Sequence, residues 1–346
     1  MNKLIFNFDG TCNDPKDAGD FTEDSSISNI LKLHAFFGGK LNPLNGANDQ
    51  IPNQHSFYYS GVGTRGNWLW KKINSAFAPQ SGDMEKIIND AKTDLNNKYK
   101  NGDKIYIFGF SRGAAIARMF AAKCGKDVEF LGVFDTVAAT KGSLDLYPDT
   151  FPATDILFEN GTMGSHIKKA AHLVSIDEKR LAFQPTLFNK DQRITEVWFS
   201  GVHSDIGGSY WFDGLSDITL NFMIDIVKVD LEILTKETIN YAGLEIEDAE
   251  DHICWDDLNI NPLPHGVLHE QNRKVISAIT LAPRIVRVNE NDLPSNDIPI
   301  IHYSVCDRFL KVTAYRPYAL RNQKFFIMKE DGTVDRNSTF MGVSSL

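Results

Sequence analysis

The chain has 346 residues, of which 42% are hydrophobic, and its formal net charge is −9. This length and hydrophobic fraction suit one elaborated domain with a large core. The acidic balance argues against nucleic acid as the main partner, because phosphate binding depends on an excess of Lys and Arg. No stretch approaches the roughly 18 apolar residues of a membrane span, and the N-terminus lacks the apolar length and cleavage site of a signal peptide. We therefore expect a protein without a transmembrane segment that is cytoplasmic in the cell that makes it.

Short apolar runs rich in β-branched and aromatic residues alternate with amphipathic segments. The predicted strands are KLIFNF (3–8), SFYYS (56–60), KIYIFGF (104–110), VEFLGVF (128–134), EVWFSGV (196–202) and IPIIHYSV (298–305). The predicted helices cover 25–37, 81–99, 111–125 and 215–234. This alternation is typical of an α/β fold with a mainly parallel sheet and helices on both faces. We expect one domain over 1–346, with core blocks in 1–210 and a helical continuation with a late strand in 211–346.

The first predicted strand runs into the turn Asp9-Gly10-Thr11. This turn is similar to the end of the D-x-D-G-T motif of phosphatases, in which the first Asp is the nucleophile. Asn7 stands at that position here, and an amide cannot form an aspartyl-phosphate. The turn is therefore predicted to serve a site whose nucleophile lies elsewhere in the chain.

The third predicted strand ends in the motif Gly109-x-Ser111-x-Gly113, and an Ala-rich segment follows it. A strand, a tight glycine turn and a helix of small residues are what a nucleophile elbow requires. Because the elbow exposes a serine hydroxyl above the sheet, Ser111 is the predicted nucleophile. The alternative is a glycine turn in an ordinary strand–helix unit, in which Ser111 only caps the helix.

A serine nucleophile needs a histidine that takes its proton and a carboxylate that orients the histidine. In open α/β sheets such groups follow the carboxyl ends of strands, which favours Asp135 as the acid and His203 as the base. Asp205 is the alternative acid. It could instead pair with a later histidine, such as His265 or His269, or brace the glycine turn that presents His203. A structural role is the alternative for His203 itself.

The N-terminal turn is predicted to complete the site. Oxyanion holes of elbow hydrolases combine the N–H of the residue after the nucleophile with an N–H from an early-strand loop. We therefore expect the N–H groups of Gly10, Thr11 and Arg112 to face the oxyanion, and Asp9 to orient the loop or to serve only a structural turn. No metal and no organic cofactor is predicted, because the sequence has no H-E-x-x-H pair and no complete P-loop.

Five blocks of the sequence resemble one bacterial family. They are FNFDGTCND, YYSGVGT, IYIFGFSRGAAIAR, FLGVFDTV and VWFSGVHSDIGGSY, and they cover most of residues 1–210 in the family's order. The family is the α/β-hydrolase domain family that includes the type VI secretion phospholipase effectors of the first Tle lipase class. Ser111, Asp135 and His203 match the positions of its catalytic triad.

The resemblance implies an α/β-hydrolase-like fold and hydrolysis of carboxylic esters, with the acyl chains of glycerophospholipids as substrates. It also implies peripheral contact with a membrane, export without a cleaved signal peptide, a secretion-machinery carrier and a neutralising immunity protein as partners. Two other functions stay open at this point. The chain could be an esterase of small soluble esters, or a non-catalytic adaptor or binding domain that keeps the hydrolase fold.

Overall fold

The structure, a computed structural model, describes residues 1–11, 13, 25–41, 50–61, 81–138, 161–180, 183–246, 252–269 and 282–342. Residues 62–64 of the block YYSGVGT lie outside the described residues. The strands are β1 Lys3–Phe8, β2 Ser25–Ser28, β3 Gln54–Tyr59, β4 Lys104–Phe110, β5 Phe130–Phe134, β6 Ala170–Ser175, β7 Ile194–Phe199, β8 Gly208–Tyr210, β9 Asn289–Glu290, β10 Leu293–Pro294, β11 Ile300–His302, β12 Lys324–Met328 and β13 Val334–Met341. The helices are α1 Asn29–Phe36, α2 Ser81–Lys98, α3 Ser111–Lys123, α4 His203–Gly207, α5 Gly214–Val227 and α6 Tyr303–Lys311.

Within the described ranges, nine strands form the central sheet in the order β13-β12-β11-β7-β6-β5-β4-β1-β3. Every neighbouring pair from β12 to β3 is parallel, and only the edge strand β13 runs antiparallel. The predicted α/β class with a mainly parallel sheet is therefore confirmed. None of the helices in these ranges is long and apolar enough to span a membrane.

Helices cover both faces of the sheet, as the continuous apolar strands predict. On one face, α2 and α3 pack against side chains such as Leu4 and Phe6. On the other face, α1 and α5 pack against Ile5 and its neighbours. Since consecutive residues of a strand point to opposite faces, β1 contributes to both cores. The inner strands β1, β4, β5 and β6 are buried on both sides, whereas the edge strand β13 is mostly exposed. A site can form at the carboxyl ends of these inner strands, where the helices do not cover the sheet.

Strand β6, which contains His172, is absent from the strands that the sequence predicts. All six residues of β6 are buried, so the strand shows no alternation that could separate it from a buried helix. His172 accepts a hydrogen bond from the Thr136 N–H at 3.1 Å and contacts Glu196 at 2.8 Å. It is therefore a packed residue inside the sheet, on a strand rather than on a helix.

The part of the chain after residue 211 contributes more strand than predicted, because β11, β12 and β13 all join the central sheet. The predicted strand 298–305 stops at His302, whose side chain caps α6. Helix α5 ends at Val227, earlier than predicted, because the chain turns there and buries Leu231. The Leu234 N–H then donates to the Phe36 carbonyl at 2.8 Å, at the end of α1.

Candidate active site

Ser111 lies at the junction of β4 and α3, at the carboxyl edge of the sheet. Strand β4 ends at Phe110 and the helix begins at Ser111, with no residue between them. Ser111 has a φ of +58°, a left-handed conformation that costs a non-glycine residue about 1–3 kcal/mol. Ser111 is buried, with 5% of the residue exposed. A sharp, strained turn of this kind is the geometry of a nucleophile elbow.

The two glycines of the motif are required by close packing. A Cβ atom on Gly113 would lie 2.2 Å from the Asp9 carbonyl oxygen and 2.3 Å from that of Phe8. A Cβ atom on Gly109 would lie 2.6 Å from the Gly113 carbonyl oxygen. Helix α3 therefore rests directly on the end of β1, and the turn after β1 is held beside Ser111.

Gly113→Ala is expected to lower the free energy of unfolding by about 3 kcal/mol, because backbone atoms would have to move to admit the methyl group. Gly243→Ala is the matched control, since its Cβ would meet only the flexible Lys40 side chain at 3.4 Å. Urea denaturation of both variants measures the difference. An equally small loss in both would contradict the close contact of α3 with β1.

The carboxylate of Asp135 and the imidazole of His203 form a buried pair. His203 Nδ1 lies 2.5 Å from Asp135 Oδ2, and the exposed fractions of the two side chains are 4% and 0%. Asp135 follows β5 directly, and the Val137 N–H in the same turn donates to the Ser111 carbonyl at 3.2 Å. The two predicted residues are therefore in contact, in a turn that is hydrogen-bonded to the predicted nucleophile.

Helix α4 presents His203 after β7, and two aromatic rings fix its imidazole. The ring of Phe110, which precedes Ser111, lies 4.7 Å from the imidazole, and the ring of Phe183 lies edge-on at 4.9 Å. The backbone N–H of His203 donates to Glu178 Oε2 at 3.2 Å. His203 Nε2 is buried and makes no hydrogen bond to the described residues. That nitrogen is therefore the one left to exchange a proton.

Two site residues were missed by the sequence reasoning. Glu178 follows β6, so recognition of that strand would have pointed to it. Arg284 comes from an irregular segment with no strand before it, and no sequence signal marks it. Its guanidinium contacts Asp135 at 2.6 Å and 2.8 Å. Burial acts to raise the pKa of Asp135, but the Arg284 charge and the bonds to His203 outweigh burial and hold that pKa below its ordinary value.

Asp205, the alternative acid, contacts a different histidine. His269 Nδ1 lies 2.5 Å from Asp205 Oδ1, and the His269 ring stacks on Tyr210 at 3.8 Å. The other oxygen of Asp205 accepts the Val202 N–H at 2.9 Å, directly before His203. Asp205 therefore braces the turn that carries His203, and no bond from its carboxylate to the His203 ring is present in the described structure.

The turn after β1 is organised around Asp9, which is 2% exposed. Among the described residues, the donors to its carboxylate are the Gly10 N–H at 2.6 Å, Asn13 Nδ2 at 3.0 Å, Ser28 Oγ at 2.6 Å and the Tyr58 hydroxyl at 2.6 Å. Burial raises the pKa of Asp9 against these bonds. The expectation that the Gly10 N–H faces an oxyanion needs correction, because the Asp9 carboxylate accepts that N–H.

Asn7 donates to Ser56 and Phe57 inside the sheet, which leaves the phosphatase interpretation without a nucleophile.

Thr11 and Arg112 are the other two residues of the predicted oxyanion hole. Thr11 continues the turn held by Asp9, and its buried Oγ1 has no hydrogen-bond partner in the described structure. Arg112 is the second residue of α3 and directly follows Ser111. Among the described residues, no group of three or more His, Cys, Asp or Glu side chains could hold a metal ion.

Comparison with known proteins places the sequence in a family. The family model for the catalytic domain of the Tle1-like phospholipase effectors of the type VI secretion system matches residues 2–126 and 121–226. No curated protein matches the sequence.

Two solved structures are similar to the chain, which spans about half of the length of each. One is an uncharacterized protein from Pseudomonas aeruginosa, with 19% identity, a TM-score of 0.45, and coverage of 75% of this chain and 49% of that chain. The other is the Tle1 effector bound to the VgrG spike from the type VI secretion system, with 24% identity, a TM-score of 0.38, and coverage of 61% and 51%. Because the family model matches more than half of the sequence, the chain belongs to the family of type VI secretion Tle1-like phospholipase effector catalytic domains.

Proposed function

We propose that the chain is a serine esterase of the phospholipase A type, with Ser111, Asp135 and His203 as its catalytic triad. The observation that carries this proposal is the buried bond between Asp135 and His203, in a turn that is bonded to the strained Ser111. The family supports a phospholipid substrate, and the site supports acyl transfer through a serine.

In the proposed reaction, Ser111 Oγ attacks the acyl carbonyl while His203 Nε2 takes the hydroxyl proton. Asp135 holds the proton of His203 on Nδ1 and stabilises the imidazolium that forms. His203 then protonates the leaving alcohol, the lysophospholipid. A water molecule, deprotonated by the same nitrogen, hydrolyses the acyl-enzyme and releases the fatty acid.

The proposed oxyanion hole consists of the Arg112 N–H and Thr11. The N–H of the residue after the nucleophile is the usual first donor of an elbow hydrolase. Thr11 supplies the second from the loop after β1, through its N–H or through the buried hydroxyl that has no partner in the described structure. Gly10 contributes indirectly, because its N–H fixes Asp9 and therefore the loop.

Thr11→Val is expected to lower kcat about 10²-fold with little change in KM, because an oxyanion donor acts mainly in the transition state. Thr11→Ser keeps the hydroxyl and is the matched control, with kcat close to that of the wild type. Steady-state kinetics on a soluble ester measure both variants. A wild-type kcat in Thr11→Val would remove the hydroxyl from the proposed hole.

Peripheral contact with a lipid surface is part of the proposal. Trp211 and Phe212 directly follow β8, a few residues after His203, and are 38% and 59% exposed. Trp is favoured at the membrane interface because its ring is apolar and its N–H is polar, and an exposed Phe beside it adds apolar surface. Their position next to the proposed site suits an enzyme that takes its substrate from a bilayer.

The function is tested by acyl release from three substrates: phosphatidylcholine vesicles, the same lipid with short soluble chains, and a p-nitrophenyl ester. We expect fatty acid from the vesicles and loss of the signal in Ser111→Ala. Activity on the p-nitrophenyl ester alone would support the esterase of small soluble esters instead. No activity on any of them would support the non-catalytic adaptor or binding domain.

A secretion-machinery carrier and an immunity protein are the proposed protein partners, since the family consists of secreted effectors. We further propose that the protein is made in the cytoplasm and leaves without a cleaved signal peptide. Expression directed to the periplasm of a test bacterium should be toxic, and co-expression of the neighbouring gene should relieve the toxicity. Equal growth with the Ser111→Ala and wild-type proteins would contradict this role.

A further inference from the structure

Arg284 and His203 both bond to the carboxylate of Asp135. Its Nη1 lies 2.6 Å from Asp135 Oδ1 and its Nη2 lies 2.8 Å from Asp135 Oδ2, which is the fork geometry of a bidentate pair. Both side chains are fully buried. The pair joins positions that are 149 residues apart in the chain.

The remaining bonds leave the Asp135 carboxylate little freedom to rotate. Oδ1 also accepts the Ser175 N–H at 2.9 Å, and Oδ2 also contacts His203 Nδ1 at 2.5 Å. Arg284 is held in turn by the carbonyl oxygens of Ser175 at 2.9 Å and Phe183 at 2.5 Å. Each carboxylate oxygen therefore has two donors, and the direction of the His203 bond is fixed.

The segment that carries Arg284 is anchored independently of Asp135. The Ala282 N–H donates to the Lys179 carbonyl at 2.6 Å, and Gln184 donates to the Ala282 carbonyl at 3.2 Å. Arg284 Nε is buried and has no hydrogen-bond partner among the described residues. A buried unpaired donor is costly, and the bidentate pair with Asp135 offsets that cost.

Five charged groups lie close to His203, and three of them are paired with partners other than His203 and Asp135. They are Asp135, Arg284, Glu178, Arg180 and Asp205. Arg180 contacts Glu178 at 2.8 Å, and Asp205 contacts His269 at 2.5 Å. The negative charge of Asp135 next to the imidazole is therefore the one that Arg284 offsets.

We propose that Arg284 is a positioning residue that fixes the Asp135 carboxylate toward His203 and offsets its charge, so that His203 stays an uncharged base at lower pH than in a triad whose carboxylate has no cation. This proposal rests on the proposed function. Burial is the largest influence on the pKa of His203 and lowers it, while the bond to Asp135 acts in the opposite direction.

Two variants separate the charge of Arg284 from its geometry. Arg284→Gln removes the charge, and we expect the acidic limb of the kcat/KM profile to move up by about one pH unit, because the cation no longer opposes protonation of His203. Arg284→Lys keeps the charge and loses the fork, so the limb should stay in place while kcat falls about tenfold. An unmoved limb in Arg284→Gln, or the same shift in both variants, would overturn the proposal.

A second readout does not need activity. In Ser111→Ala, the His203 imidazole is titrated by NMR, with its signal assigned by its loss in a His203→Asn variant. Adding Arg284→Gln should raise the His203 pKa, and adding Arg284→Lys should leave it unchanged. If the His203 pKa shifts as expected but the wild-type protein hydrolyses no ester, the proposed function alone is contradicted. If the wild-type protein is active but the His203 pKa does not move, the role of Arg284 alone is contradicted. If Arg284→Gln fails to fold, Arg284→Lys with wild-type kcat overturns the proposal.

Discussion

Ser111→Ala is expected to lower kcat for phospholipid hydrolysis by about 10⁵-fold, because the acyl-enzyme cannot form without the hydroxyl. The residual rate would come from substrate binding and the oxyanion hole. Release of fatty acid from phosphatidylcholine vesicles, measured in single-turnover conditions, gives the comparison. A fall of less than tenfold would mean that another residue is the nucleophile.

Asp9→Asn is the control for the Ser111 experiment. Asp9 holds the turn after β1 through hydrogen bonds to Gly10, Asn13, Ser28 and Tyr58, and an amide can keep some of them. We expect a measurable loss of rate that is far smaller than in Ser111→Ala. The opposite order, with the larger loss in Asp9→Asn, would favour a catalytic carboxylate at the N-terminal turn.

Replacing Ser111 by glycine is expected to abolish activity but to increase stability. The φ of +58° strains a side chain there, and glycine adopts that conformation without cost. Ser111→Gly should therefore be more stable than Ser111→Ala by about 1 kcal/mol. Denaturation curves of the two inactive variants test this difference without any assumption about the substrate.

Asp135→Asn is the second large effect, with an expected fall in kcat of about 10⁴-fold. The amide stabilises the wrong tautomer of His203, so Nε2 would carry a proton and could not take one from Ser111. The variant also leaves the Arg284 charge buried and unpaired, which lowers the free energy of unfolding by about 3 kcal/mol. Kinetics and a thermal melt on the same sample separate the two losses.

Asp205→Asn is the matched control for Asp135→Asn, because both residues are buried aspartates that contact a histidine ring at 2.5 Å. The partner of Asp205 is His269, so only the brace on the His203 turn is weakened. We expect a much smaller fall in kcat than for Asp135→Asn. A larger fall in Asp205→Asn would reverse the assignment of the acid.

The positions of Ser111, Asp135 and His203 at one edge of the sheet follow from a simple sequence rule. Each residue comes after an apolar run, and β4, β5 and β7 are parallel strands with only β6 between β5 and β7. Carboxyl ends of parallel strands meet at one edge, so residues far apart in sequence come together. The same rule would have pointed to Glu178 if β6 had been recognised, but its fully buried run carries no periodicity.

Other features could not be predicted, for physical reasons. Arg284 reaches the site from an irregular segment whose course is set by contacts with Lys179 and Gln184, and such tertiary contacts leave no local pattern. The acceptor of the Gly10 N–H depends on the rotamer of Asp9. In the rotamer present, the Asp9 carboxylate accepts the N–H that an oxyanion would otherwise accept. Strand β11 is short because His302 is the N-cap of α6. The apolar residues next to His302 in the sequence give no sign of this role.

Covalent labelling tests the central claim, that the hydroxyl at position 111 is a nucleophile activated by His203. The wild-type protein, Ser111→Ala and His203→Ala are treated with a fluorophosphonate, and the adduct is mapped by peptide mass spectrometry. We expect one adduct on the peptide that contains Ser111 in the wild type, none in Ser111→Ala, and very slow labelling in His203→Ala. An adduct on another peptide, or phospholipid hydrolysis that continues in a protein whose Ser111 is fully labelled, would contradict the claim.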